Sequence, residues 1–206
     1  TNPECENSNN LTGDYYKNII RGKTKSWIDV YVLNKLGQIS DGKPVYESFV
    51  HSTHVAKGDL AIADGVPIFV GIDFGLTPAC VFAQRLRGRW IVFDELVAED
   101  MGIVRFSELM KQHMAQYLPR EFIIFGDPAG DQRVQTDEST PFQILRGRGL
   151  NARPAPSNDV LLRLESVSTV LNRMTDGESG MIIDPKCINL IKGFDGGYHY
   201  KRMQVS

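Results

Sequence analysis

Two short apolar runs that each end on an aspartate constrain the fold of this chain more than any other feature. The first runs from Ile68 to Asp73 in the segment PIFVGIDFGL, and the second runs from Phe122 to Asp127 in EFIIFGDPAG. Such runs predict strands buried in the middle of a sheet, where a charged residue needs a partner. If the two strands are neighbours that end on the same side, their carboxylates meet and form a metal site or an acid pair. The alternative is that each aspartate only opens a turn. The dipeptide Asp-Pro, present here as Asp127-Pro128, often does so.

The composition limits both the number of domains and the kind of partner. With 206 residues, of which 42% are hydrophobic, the chain can bury one good core. Its formal net charge of -2 lacks the excess of positive charge that is typical of nucleic-acid-binding proteins. Any binding of nucleic acid therefore depends on local basic patches. Cys5, Cys80 and Cys187 are far apart and odd in number, which argues against a disulfide framework or a zinc site and favours a reduced intracellular setting. No apolar run approaches the roughly 18 residues of a membrane span.

Residue patterns along the chain predict three strands in a meander, followed by alternating helices and strands. The turn Arg87-Gly88-Arg89 joins the second and third strands as a hairpin, and Pro119 ends the helix that follows them. Predicted strands cover residues 68–73, 79–86, 89–97, 121–126, 150–154 and 180–184, and predicted helices cover 103–118, 139–145, 158–174 and 186–193. Two further amphipathic segments are predicted at 12–22 and 27–36, a hairpin arm at 196–201, and a solvated loop rather than a metal site at His51 and His54.

This order of elements predicts an α/β fold with a mixed central sheet flanked by helices. The first three strands are antiparallel and the later ones parallel. Such a sheet matches the ribonuclease H-like arrangement, whose acids sit on the first and fourth strands. In this chain those acids are Asp73 and Asp127.

Four motifs in this order resemble the nuclease domain of the large terminase subunit of tailed bacteriophages, the motor that packages DNA. They are VGIDFG, IIFGDPAG, LLRLESVSTVLNR followed by MIIDPKC, and the tail GFDGGYHYKR. The resemblance implies a magnesium- or manganese-dependent endonuclease that cleaves double-stranded DNA concatemers during viral genome packaging. It also implies two metal ions per active site and an ATPase domain in the same polypeptide. The small terminase subunit and the portal protein are the implied partners, in the host cell cytoplasm and without a membrane.

The resemblance also assigns metal ligands. Asp73 and Asp127 carry over as the catalytic acids that hold the metal, and Asp184 is a further candidate ligand. The third acid of the family usually stands on a C-terminal helix. Because Asp184 precedes a proline and Asp195 approaches a hairpin, neither has that helical setting, and the third ligand is expected beyond Ser206.

Basic residues recur on the predicted loops and are the candidates for a DNA phosphate track, although each group alone is also typical of a solvated loop. They are Arg85, Arg87 and Arg89 near the first hairpin, Arg146, Arg148 and Arg153 around two glycines, and Lys201 with Arg202 after the tyrosines.

The resemblance divides the chain into a linker, residues 1–60, that trails an absent N-terminal ATPase domain, and a nuclease domain, residues 61–206. No Walker motif is present, because Gly22-Lys23-Thr24 lacks the glycine that a phosphate loop needs five residues earlier, where Lys17 stands. Two other functions stay open. A junction resolvase or integrase would share the acids and the metals, and a non-catalytic docking module for a portal-type partner would use the acids only structurally.

Overall fold

The computed structural model describes residues 42–128 and 139–201. These residues form two compact units, a large one that spans Ser48–Gly193 and a small one made of residues 42–47 and 194–201. No helix in the described ranges is both long and apolar enough to cross a membrane. The amphipathic segments predicted at 12–22 and 27–36 lie outside the described residues.

The large unit is built on a six-stranded sheet. The strands are β1 Ile68–Asp73, β2 Ala79–Leu86, β3 Arg89–Val97, β4 Phe122–Gly126, β5 Ala152–Pro154 and β8 Met181–Ile183, with a separate hairpin of β6 Met174–Thr175 and β7 Glu178–Ser179. Their order across the sheet is β5-β4-β1-β2-β3-β8. β1, β2 and β3 are antiparallel neighbours. β4 runs parallel to β1, β5 to β4, and β8 to β3. This arrangement confirms the predicted mixed sheet.

Five helices and two irregular turns complete the described chain. The helices are α1 His51–His54, α2 Ile103–Met114, α3 Pro141–Gly147, α4 Val160–Asn172 and α5 Ile188–Lys192; a 3-10 turn, Ala115–Tyr117, follows α2, and a π-helical turn, Gly193–Gly197, follows α5. α3 begins with a capping box, because Thr140 and Gln143 exchange side-chain and backbone hydrogen bonds. The N-cap of α4 is Asp159, whose carboxylate accepts from the Leu162 N–H at 3.0 Å, rather than the predicted Asn158.

The main hydrophobic cluster lies on one face of the sheet. β1 alternates, with Ile68, Val70 and Ile72 buried and Asp73 exposed. Side chains from β2, β3, α2 and α3 complete the cluster, chiefly Phe82, Phe93, Phe106, Met110, Phe142 and Leu145. Each such side chain stabilises the fold by about 1.5–3 kcal/mol when fully buried. β1 is therefore central in the sheet, as predicted, but it is buried on one face only.

The segment before the sheet differs from the sequence prediction. Val50 to Val55 contains the helical turn α1, and His54 is buried rather than solvated. Its Nδ1 accepts from the Val50 N–H at 2.9 Å, and its Nε2 lies 3.0 Å from the carbonyl oxygen of Leu171. The prediction of a solvated loop was wrong because Leu171 is 117 positions away in sequence, so no local pattern could show this contact.

In the small unit, the predicted hairpin arm pairs with an earlier segment of the chain. The Val45 N–H donates to the Tyr198 carbonyl at 3.0 Å, and the Tyr200 N–H donates to the Lys43 carbonyl at 2.9 Å. The ring of Tyr46 packs 6.1 Å from that of Tyr198, centre to centre. Residues 43–46 and 198–200 therefore form a short antiparallel pairing.

Gly126 ends β4 beneath two aromatic rings and leads to a prediction about stability. A Cβ at this position would lie 2.6 Å from Cε2 of Phe74 and 3.1 Å from Cε1 of Phe142. Because these two rings pack edge to face, with centroids 5.2 Å apart, neither moves without disturbing the other. We expect Gly126→Ala to lower the free energy of unfolding by about 1–3 kcal/mol, measured by urea denaturation.

The matched control is Gly71→Ala on the adjacent strand. A Cβ at Gly71 would contact only Cγ2 of Val81, at an ordinary 3.6 Å. We expect a change in unfolding free energy within about 0.5 kcal/mol. Equal losses at the two positions would contradict this account of the packing around Gly126.

Candidate metal centre

Asp73 and Asp127 lie side by side in the sheet. β1 and β4 are parallel neighbours in which Ile72 pairs with Gly126, so the two aspartates follow the last paired residues at the same end. The Asp127 N–H donates to the Ile72 carbonyl at 3.2 Å, which continues the pairing by one step. Adjacent strands lie about 4.8 Å apart, so the two residues occupy neighbouring positions. The predicted adjacency of the two strands is confirmed.

A cavity of about 330 Å³ opens over this end of the sheet. Gly71 contributes no side chain to its lining, and Asp73 and Asp127 stand at its edge with Phe125 beside them. The loop after β5 and the first turns of α4 line the other side, through Ala155, Ser157 and Arg163. The acids therefore face an open volume large enough for a hydrated cation and a phosphate group.

The two carboxylates have different surroundings. The Asp127 side chain is 18% exposed, and its Oδ2 accepts from Nη1 of Arg163 at 3.2 Å. The same nitrogen donates to Oδ1 of Asn158 at 3.0 Å. Asp73 is exposed, and no hydrogen bond or ion pair within the described part of the chain engages its side chain. Asp127 is therefore charge-paired, whereas Asp73 is open to a ligand.

Arg163 is a site residue that the sequence patterns did not predict. The residue lies in the apolar run VLLRLESV, where a single cation is typical of the exposed side of a helix. The one local indication of its position is Asp159, four residues earlier. As the N-cap, Asp159 sets where α4 begins and therefore places Arg163 near the start of the helix. The start of α4 faces the end of β4 because of the path that the loop after β5 takes, and no local sequence pattern gives that path.

Cys80 lines the same cavity from β2, where it pairs with Ile72, and its side chain is buried in the hydrophobic core. Burial raises the pKa of this thiol to about 12, and the negative charge of Asp94 acts in the same direction. The acidic side chains that line the cavity from the ends of β1 and β4 are the carboxylates of Asp73 and Asp127. Carboxylate oxygens suit Mg²⁺ and Mn²⁺ rather than zinc.

Asp184 lies away from the acid pair. It follows β8, which is separated from β1 by β2 and β3, and its own N–H donates to the Val92 carbonyl at 2.8 Å. Its buried carboxylate accepts from the Leu60 N–H at 2.7 Å and the Lys186 N–H at 3.0 Å. In the described residues, no group of three or more His, Cys, Asp and Glu side chains could hold a metal ion. Asp195 lies in the turn that follows α5.

The basic residues of the first hairpin stand at the opposite end of the sheet from the acids. Asp73 pairs with Ala79 at the start of β2. Arg85 and Arg87 flank Leu86 at the other end of β2, and Leu86 lies seven residues, or about 23 Å, along the strand from Ala79. The Arg89 side chain pairs with Glu178 and donates to the Ser179 carbonyl at 2.7 Å. The structure therefore does not bring these arginines together with Asp73.

Of the second basic group, Arg153 lies nearest to the acids. Its guanidinium stands 4.7 Å from the ring centre of Phe125, the residue before the end of β4. Arg146 donates to the Ala152 carbonyl at 2.9 Å, and Arg148 lies 3.4 Å from Glu108, so both contact neighbouring elements. Lys201 is exposed in the small unit, and Arg202 lies outside the described residues.

The antiparallel β1–β3 meander and the parallel β4 beside β1 form a ribonuclease H-like fold. More particularly, the fold is that of the nuclease domains of bacteriophage large terminases, as solved structures show. The chain superimposes on the P22 large terminase nuclease domain with a TM-score of 0.57 at 11% identity, over 74% of this chain and 78% of that one. The nuclease of the large terminase from thermophilic phage G20c with bound magnesium gives a TM-score of 0.55 at 9% identity, over 80% and 85%.

The large terminase of thermophilic bacteriophage D6E matches with a TM-score of 0.60 at 17% identity, over 90% of this chain. The match covers 44% of the D6E protein, so this chain spans less than half of its length. No model of a known protein family matches the chain, and no curated protein matches it. The resemblance seen in the sequence motifs is therefore confirmed at the level of the fold.

Proposed function

We propose that this chain is the nuclease domain of a phage large terminase subunit, a metal-dependent endonuclease that cuts double-stranded DNA concatemers during genome packaging. The observation that carries the proposal is the placement of Asp73 and Asp127 at one end of neighbouring strands, beside an open cavity. The shared fold with terminase nuclease domains supports the same reading. Asp73 and Asp127 are the proposed catalytic acids.

The donor set fits a divalent cation of the magnesium type. Two carboxylates offer hard oxygen ligands, and the G20c nuclease has been solved with magnesium and with cobalt. A bound pair of ions would activate a water molecule and stabilise the leaving oxygen of the phosphodiester. Asp73 and Asp127 would hold and orient such ions, and a second ion would draw a further acid from outside the described residues.

The proposal extends to partners of the whole protein. Residues 1–60 would trail an N-terminal ATPase domain, as the greater length of the D6E large terminase suggests. The small terminase subunit, the portal and the host cytoplasm follow from the family resemblance. Among the basic residues predicted from the sequence to contact DNA, Arg153 is the strongest candidate, since it stands one strand away from Asp127.

The proposal is tested with supercoiled plasmid DNA. We expect the chain to nick it in Mn²⁺ and to stop in EDTA, because the acids alone provide no nucleophile. Mn²⁺ binding is measured in parallel by isothermal titration calorimetry. A folded chain that binds no Mn²⁺ and nicks no DNA would contradict the nuclease and favour the docking module, and a strong preference for four-way junctions would favour the resolvase.

A further inference from the structure

Arg163 is held against Asp127 by the loop that precedes α4. The Ala155 N–H donates to the Gly126 carbonyl at 2.9 Å, which fastens this loop to the end of β4. Asn158 then accepts from Nη1 of Arg163, and Asp159 caps α4. Because these contacts are local and sequential, they place the guanidinium on the Asp127 side of the cavity.

The guanidinium keeps unused hydrogen-bonding capacity. Both of its hydrogen bonds use Nη1, one to Asp127 and one to Asn158. Its Nε and Nη2 donors have no partner in the described part of the chain, although the side chain is only 52% exposed and lines the cavity. An arginine has five N–H donors in a rigid fork that matches phosphate oxygens. The spare donors therefore stand where a phosphate beside the acids would lie.

The ion pair also affects the charge that a metal ion would meet. Asp73 and Asp127 together carry two negative charges, but the Arg163 cation lies 3.2 Å from one of their oxygens. A divalent cation on Asp127 would be repelled by this guanidinium at close range, and repulsion between like charges costs binding energy even in a partly solvated site. Arg163 and a divalent cation therefore compete for Asp127.

We propose that Arg163 is an exchangeable counter-ion: it neutralises Asp127 when no metal is bound, and a divalent cation displaces it toward the phosphate backbone of the DNA. The proposal rests on the function proposed above for Asp73 and Asp127. It assigns Arg163 two effects of opposite sign, since the side chain weakens metal binding in the free protein and strengthens the grip on the phosphate in the complex. A mere tether between α4 and the sheet would have neither effect.

The test uses Arg163→Gln, which removes the charge, and Arg163→Lys, which keeps the charge but not the fork. Lys111→Gln, on the exposed side of α2, is the control for loss of one positive charge. Mn²⁺ affinity is measured by calorimetry without DNA, and the nicking rate is measured on plasmid. We expect Arg163→Gln to lower the Kd for Mn²⁺ about three- to tenfold and to slow nicking about tenfold or more.

For Arg163→Lys we expect Mn²⁺ affinity within about twofold of the wild type and a smaller loss of nicking. Lys111→Gln should change neither quantity by more than about twofold. Unchanged or weaker Mn²⁺ binding by Arg163→Gln would overturn the exchange and leave Arg163 as a tether. A wild-type chain without Mn²⁺ binding would overturn the proposed function and this inference together, whereas wild-type binding that Arg163→Gln leaves unchanged overturns the inference alone.

Discussion

Replacing Asp73 or Asp127 by Asn is expected to lower the Mn²⁺-dependent nicking rate by about a hundredfold or more. Each substitution keeps the shape of the side chain but removes one of the two negative charges at the end of β1 and β4. A metal held in place contributes several kcal/mol of transition-state stabilisation, and about 2.7 kcal/mol corresponds to a hundredfold in rate. The rate is measured on supercoiled plasmid, and Mn²⁺ affinity is measured separately without DNA.

The two variants should differ little in stability. Asp73 is exposed, so its substitution is expected to change the free energy of unfolding by less than about 0.5 kcal/mol. Asp127 loses its ion pair with Arg163, but the arginine is half exposed, and such a pair contributes about 1 kcal/mol at most. Unfolding in urea therefore separates a loss of activity from a loss of fold.

Asp176→Asn provides the matched control. Asp176 lies in the turn between β6 and β7 with φ of 53°, a conformation that Asn adopts as readily as Asp. This control should nick at the wild-type rate. Full activity in Asp73→Asn, with wild-type Mn²⁺ affinity, would remove the acid pair from the reaction and with it the central argument for a nuclease.

The sheet and its acid pair were predictable because the relevant signals are local. The apolar runs that end at Asp73 and Asp127 and the Arg87-Gly88 turn each lie within a few residues. The order of elements then left few ways to arrange the strands. The structure bears out all the predicted strands of the central sheet, with shorter bounds for the strands at 121–126, 150–154 and 180–184.

The surroundings of the site were less predictable, because they depend on contacts between distant parts of the chain. Arg163 meets Asp127 across 36 positions, and the sequence between them gives no sign of the distance in space. Arg85, Arg87 and Arg89 were predicted to belong to a DNA phosphate track, and the structure places their hairpin far from Asp73. Because a hairpin turn lies at the far end of its strands, the antiparallel register moves their loop away from Asp73.

Asp184 was a candidate metal ligand from sequence, and its surroundings in the structure give the second large prediction. The residue is fully buried, and its two carboxylate oxygens accept from the backbone N–H groups of Leu60 and Lys186. The bond to Leu60 is 2.7 Å long and joins the segment before β1 to the end of β8. The same segment is held at Ala56, whose N–H donates to the Ile183 carbonyl at 2.9 Å. Asp184 therefore holds the segment of residues 56–60 against the edge of the sheet.

We expect Asp184→Ala to lower the free energy of unfolding by about 2–4 kcal/mol, because two partly buried N–H groups lose a charged acceptor at once. Asp184→Asn keeps one carbonyl acceptor and should lose about half as much. Asp59→Ala, at an exposed carboxylate next to Leu60, should stay within about 0.5 kcal/mol of the wild type. The measurement is urea denaturation followed by tryptophan fluorescence.

The same variants decide whether Asp184 belongs to the metal site. If its carboxylate serves only to hold residues 56–60 in place, a folded Asp184→Asn variant should have an affinity for Mn²⁺ within about twofold of the wild type. The strands β2 and β3 stand between Asp184 and Asp73. Because neighbouring strands lie about 4.8 Å apart, the two residues are on the order of 14 Å or more from each other. Ions about 4 Å apart cannot bridge that separation. Wild-type stability combined with much weaker Mn²⁺ binding in Asp184→Asn would reverse this assignment and return Asp184 to the list of metal ligands.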